Sequence, residues 1–129
     1  MKKRLMAALA ALLVSAACWS VSAPDSSLEE DQAVLQRVEG EARALAGAGG
    51  CTDGAQCRTA PVGAKACGGP RTYVVYCATT TDTVALFRKL DELRRAEEGF
   101  NQKYGVASNC AFVSPPGTEL VGGTCRART

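Results

Sequence analysis

Seven cysteines stand in a chain of 129 residues, and they constrain it more than any other feature. Cys18 closes an apolar N-terminal run. The other six, Cys51, Cys57, Cys67, Cys77, Cys110 and Cys125, are spread over the remainder. An even set of six downstream of an export signal predicts three disulfides and an oxidising compartment. Six cysteines permit fifteen connectivities, and their spacing does not choose among them. No C-x-x-C occurs, which disfavours a thioredoxin-like redox pair or a zinc ribbon.

Lys2, Lys3 and Arg4 precede an uninterrupted apolar run, Leu5 to Val14, and then Ser15, Ala16 and Ala17. That is the layout of a secretory signal over residues 1–17, too short to span a bilayer. Val14-Ser15-Ala16-Ala17-Cys18 resembles the lipobox of bacterial lipoproteins, whose cysteine is diacylated and becomes the new N-terminus. The resemblance implies lipidation of Cys18 and a place on the bacterial cell membrane or outer membrane. The competing route is ordinary cleavage after Val21-Ser22-Ala23, which would release a secreted or periplasmic protein; Pro24 at the next position counts against it. Residues 18–27 then form a lipidated cysteine and a flexible Ser- and Pro-containing spacer.

Removing residues 1–17 leaves 112, enough for one domain over 28–129. Lys and Arg fall from 15 to 12 against 13 Asp and Glu, so the net charge becomes −1 and gives no basis for binding nucleic acid. Histidine is absent, which excludes Ser-His-Asp and Cys-His catalysis and His-ligated zinc.

Leu28, Leu35, Val38, Ala42 and Leu45 recur at helical spacing; Ser27 with Glu30 fits a capping box, and Ser26 with Glu29 fits one a residue earlier. Arg58 to Val62 is a short candidate strand. Arg71 to Thr79 is the clearest strand, with apolar groups on both faces, and is expected centrally in the sheet. A second helix is expected from Asp82 to Tyr104, with Leu86, Leu90, Leu93, Phe100 and Tyr104 on its buried face and Gly105 at its end. Cys110 to Val113 and Leu120 to Arg126 supply the last strands. The resulting expectation is an α+β domain in the order α-β-β-α-β-β, a disulfide-stapled antiparallel sheet of three or four strands with two helices on one face.

No constellation for catalysis, metal or cofactor emerges. Gly68-Gly69-Pro70 lacks a following Walker lysine and precedes a strand, so a structural turn is expected. Asp53, Glu97, Glu98 and Glu119 have no oxygen-ligand spacing, and Glu97 and Glu98, adjacent on a helix, do not share a face. The segment Pro61-Val62-Gly63-Ala64-Lys65-Ala66, between Cys57 and Cys67, has the logic of a pinned peptidase-inhibitor loop presenting a lysine, and is a possible protein-partner loop.

The lipobox-like start, the C-x5-C spacing of Cys51 and Cys57, the run Lys65-Ala66-Cys67-Gly68-Gly69-Pro70, the Tyr-rich strand and the late Ser108-Asn109-Cys110-Ala111 together resemble a family of small bacterial exported proteins and lipoproteins of uncharacterised function. The likeness covers roughly residues 51–126. It implies location and general fold, and brings no catalytic residue, ligand or disulfide pairing. The expected function is accordingly a non-catalytic, membrane-anchored envelope lipoprotein acting as a binding or structural module. The alternative is a peptidase inhibitor acting through Pro61 to Ala66.

Overall fold

The computed structural model describes residues 26–129. The signal segment, Cys18 and the spacer as far as Asp25 lie outside the described residues. In chain order the elements are α1 (Leu28–Leu45), a 3-10 turn (Gly54–Gln56), β1 (Cys57–Val62), β2 (Thr72–Cys77), α2 (Thr83–Tyr104), β3 (Thr118–Val121) and β4 (Thr124–Ala127).

Both helices start on local chemistry, and α2 also stops on it. The Ser27 hydroxyl accepts from the Glu30 amide, and the Glu30 carboxylate accepts from the Ser27 amide, so two of the orphan donors of α1 are satisfied reciprocally. Asp82 caps α2 through the Ala85 amide, and Gly105, at φ 59°, ends it in the left-handed conformation that glycine adopts without a Cβ penalty. The two helices bury Val38, Ala42, Leu86, Leu90 and Leu93 against Ala60, Val62 and Tyr76 of the first hairpin. Each such leucine contributes about 1.5 to 3 kcal/mol on leaving water.

β1 and β2 pair antiparallel, with Cys57 opposite Cys77 and Val62 opposite Thr72. Because side chains alternate across a strand, Ala60, Val62, Val74 and Tyr76 face the helices, while Cys57, Val75 and Cys77 face the other way. That second face is covered by a cluster in which Cys51, Cys57, Cys77 and Cys125 are buried with Ala48, Val75 and Leu120. The apolar character of both faces of β2 thus reflects two coverings, a pair of helices and a knot of sulfur.

The α+β class and the element order are those expected, but the four strands divide into two two-stranded sheets instead of sharing one, so β2 is not a central strand. The reason is the segment Gly47 to Cys51. Gly47 accepts from the Cys77 amide, Ala48 accepts from the Cys125 amide, and Gly49 forms an isolated bridge with Thr124, so this glycine-rich stretch separates β2 from β4 without extending either sheet. A second correction concerns Cys110 to Val113, which is not a strand: Cys110 has φ 53° and the segment runs as an irregular loop. Both late strands come from 118–127, folded back at Gly122-Gly123 (φ 57° and 77°), the two positive angles of a tight primed hairpin turn.

Three disulfides close the fold: Cys51–Cys77, Cys57–Cys125 and Cys67–Cys110, separated by 26, 68 and 43 residues. Loops of those lengths are each worth roughly 3.5 to 4.5 kcal/mol by the chain-entropy model. The bonds indicate an oxidising location outside the cytoplasm. Among the described residues no helix is long and apolar enough to cross a membrane.

α1 and α2 are also clasped by charge. Asp31 accepts from Lys103 Nζ at 2.8 Å and from the Tyr104 hydroxyl at 2.8 Å. Lys103 first, then Ser26 and Tyr104, hold the Asp31 carboxyl down to about 2. A depressed carboxyl stabilises the fold in full above its ordinary value of 3.8 and loses that effect as pH falls toward 2. Asp31→Asn should therefore unfold at lower urea than wild type at pH 6, and the gap should close between about pH 4 and pH 2. A gap unchanged at pH 2 would contradict the clasp.

Candidate binding groove

The connection from β1 to β2, Gly63 to Arg71, is held from three sides. Within itself, the Lys65 amide donates to Gly69 O, the Gly68 amide to Lys65 O and the Arg71 amide to Val62 O. From α2, Glu97 accepts from the Ala64 amide, and Asn101 Nδ2 donates to Ala64 O at 3.0 Å. From the loop after α2, Cys110 bonds Cys67, and Ser108 Oγ accepts from the Cys67 amide at 3.2 Å.

Glu97 is the pivot of this arrangement. It stands four residues after Leu93 and seven after Leu90, on the buried stripe of α2, and is 6 % exposed. A buried carboxylate needs a cation and donors. Arg71 provides both, with Nη2 2.6 Å and Nε 3.0 Å from Glu97, and its Nη2 reaches Glu39 of α1 at 2.7 Å. Hydrogen bonding to Glu97 in the first place, with Glu39 adding to it, holds the Arg71 guanidinium firmly in its charged form. Burial pushes Glu39 upward, but the bonds from Arg43 and Arg71 outweigh it and leave the carboxyl below its ordinary value. One guanidinium thus ties the hairpin connection to both helices. Gly63, at φ 73°, is required here twice over: a Cβ would be strained and would sit against the Glu97 carboxylate and 2.8 Å from Arg71 Nε.

Held this way, the connection stands away from α2 and leaves a groove of about 330 Å³. Pro61, Gly69 and Pro70 form one wall and Phe87 and Leu90 the other. The Phe87 ring stands edge-on to Tyr76, centroids 6.1 Å apart, which fixes its orientation while leaving the residue 44 % exposed. Asp91, Arg94 and Glu98 form the rim, with Arg94 2.7 Å from each carboxylate. The bond from Arg94 holds the Asp91 carboxyl below its ordinary value. An apolar floor with a few fixed polar groups suits recognition of an apolar side chain or acyl group.

The segment Pro61 to Ala66 is placed differently from a projecting inhibitor loop. Val62, Gly63 and Ala64 are buried, Pro61 and Ala66 are exposed, and the Lys65 ammonium is engaged by Asn109 Oδ1 at 3.1 Å and by Ala111 O. Pro61, Gly63 and Ala64 join the groove instead. Glu97 and Glu98 do point to different surroundings, as their adjacency on a helix requires: Glu97 inward to Arg71, Glu98 outward to Arg94. Sequence pattern does not single out Phe87 or Arg71 as site residues, nor Glu97 as the partner of Arg71. The available signal is a carboxylate at a core position of α2, which demands a buried cation elsewhere. The sulfurs of Cys51, Cys57 and Cys125 lie within 4.8 Å of one another, yet as disulfides they offer no thiolate to a metal.

No family model, curated protein or solved structure matches this chain.

Removing the guanidinium leaves the Glu97 carboxylate buried without its counter-charge. Arg71→Met should destabilise the domain by about 2 kcal/mol in urea denaturation, less than a fully buried pair because Arg71 is partly exposed. It should also speed hydrogen exchange at the Ala64 and Lys65 amides, and Arg71→Met/Glu97→Gln should recover more than half of the loss. Equal stability of Arg71→Met and wild type would remove Glu97 from its role as pivot.

Proposed function

We propose that this chain is a lipid-anchored, non-catalytic protein of the bacterial envelope that holds a partner in the groove between the β1–β2 connection and α2. The observation that carries the reading is the cysteine arithmetic. All six cysteines of the described residues bond one another, so the folded domain leaves no thiol for Cys18, and Cys18 follows a signal-like segment and small residues as an acylation site does. Two or more acyl chains hold a protein stably on a bilayer where one does not. The groove supports the binding half of the reading, because its walls are held in place before any partner arrives and lose little freedom on binding.

Two experiments test the two halves separately. Cys18→Ser should move the protein from the membrane pellet to the soluble envelope fraction, and intact mass of the membrane form should show a diacylglyceryl adduct on a chain beginning at Cys18 with six hydrogens missing. A Cys18→Ser protein that pellets as before overturns the anchor. For the groove, a photo-crosslinking residue at Pro70 should give a discrete adduct in living cells and the same residue at exposed Gln36 of α1 should not. Loss of the Pro70 adduct in Phe87→Ala would assign it to the groove, and its persistence there would not.

A further inference from the structure

The loop after α2 carries the most exposed large apolar side chain among the described residues. Phe112 is 88 % exposed, and Val106 in the same loop is 38 % exposed. The loop is not free to fold this ring away. Cys110 is bonded to Cys67, the Ala111 carbonyl accepts from Lys65 Nζ, and the Ala111 amide donates to Asn109 Oδ1 at 3.2 Å, so the residues immediately before Phe112 are fixed on the hairpin connection. These restraints on Cys110 and Ala111 set where the exposed Phe112 ring leaves the domain.

The end of the molecule on which the ring stands indicates what it meets. Ser26, the first described residue, accepts from Lys103 Nζ at 3.0 Å and from the Tyr104 hydroxyl at 3.4 Å, at the last turn of α2. The chain leaves that turn through Gly105 and Val106 into the Phe112 loop. Lys65 and Ala66, beside the loop's anchor, line a shallow depression together with Asn101, Gln102 and Val106, again on the final turns of α2. The N-terminal chain and the Phe112 loop therefore share one end of the domain. Eight peptide units separate Cys18 from Ser26, a reach of at most about 29 Å.

We infer that Phe112 inserts into the lipid surface to which Cys18 is anchored, as a second, non-covalent contact that sets the orientation of the domain on the bilayer. This rests on the anchor reading above. A short tether alone leaves a domain free to tumble. An aromatic ring seated at the level of the headgroups adds a fixed point, and aromatic side chains favour that interface. The net charge of −1 after loss of the signal offers no electrostatic substitute. With the tether and Phe112 at the membrane, the C-terminal end of α2 faces the lipid and its N-terminal end, near Thr83 and Val84, faces away.

The test uses the full lipidated chain in vesicles of phosphatidylethanolamine and phosphatidylglycerol, with and without brominated acyl chains. Trp19 is the only tryptophan, so Trp19→Phe with Phe112→Trp gives a single reporter in the loop, and Trp19→Phe with Val84→Trp, a position 75 % exposed at the other end of α2, gives the control. Emission of the loop reporter should be quenched at least about two-fold by the brominated lipid and protected from acrylamide, with the control reporter unaffected in both respects. Flotation of the same samples separates the two readings. Protein that floats with the loop reporter unquenched overturns the insertion while leaving the anchor intact. Protein that does not float overturns the anchor and the insertion with it. A loop reporter open to acrylamide on vesicles but covered in whole cells would make the ring a protein contact and also overturn the insertion.

Discussion

The fold depends on four cysteines gathered between the two hairpins. Cys51–Cys77 and Cys57–Cys125 lie in one buried cluster, and no element of regular structure is long enough there to replace them. β3 and β4 are four residues each, and a lone two-stranded hairpin is marginal in water. The second hairpin is held against the first by the disulfide from Cys57 to Cys125, by the packing of Leu120 into the sulfur cluster with Val75, and by the backbone bonds of Gly47 to Cys51. The first hairpin can then spend its opposite face on the helices. Cysteine here does the work of a third layer of secondary structure, which explains how a chain with few aromatic residues still covers both faces of β2.

Sulfur and charge divide the remaining work by position along the β1–β2 hairpin. At its open end, Cys57 and Cys77 enter the cluster. At its turn end the apolar core gives out, since Gly63, Ala64, Gly68 and Gly69 have little to bury, and order comes from Arg71, Glu97, Asn101 and the Cys67–Cys110 bond. An ion pair at that point is not chiefly a source of net stability, because desolvation offsets much of the attraction. Its effect is geometric: the fork of the guanidinium fixes where the connection sits relative to both helices, and hence the width of the groove.

Features set by local chemistry were legible in the residues. The Ser27–Glu30 capping box, the Gly105 stop and the leucine stripe of α2 depend on neighbours within a few positions, and each lies where its pattern indicates. Long-range pairing was harder to see. Cys110 to Val113 has strand composition, but the bond to Cys67 and the left-handed backbone at Cys110 hold it as a loop. Nothing in the composition of Gly47 to Cys51 announces that it will take hydrogen bonds from two hairpins and keep their sheets apart. The groove was invisible for a similar reason: its walls come from segments separated by about a fifth of the chain, and its apolar side chains, Phe87 and Leu90, read as ordinary core on a helical wheel. Glu97 was the exception, a charge on the buried stripe whose partner could have been sought among the basic residues of the turn.

The same reasoning accounts for the composition of the groove itself. A wall built of glycine and proline cannot hold its shape by packing, because such residues bring almost no side-chain contacts of their own. It can hold shape only if its backbone groups are bonded and its ends are tied. Gly63 lets Glu97 and Arg71 approach closely, so that the Glu97 carboxylate accepts from the Ala64 amide, and the Cys67–Cys110 bond secures the next turn. Small residues therefore follow from the ion pair, and the ion pair follows from the small residues. The bare wall opposite Phe87 is what that mutual requirement leaves, so the recess and the bonds that shape it form one structure: enlarging Gly63 would disturb Arg71 and, through it, the bonds to Glu97 and Glu39.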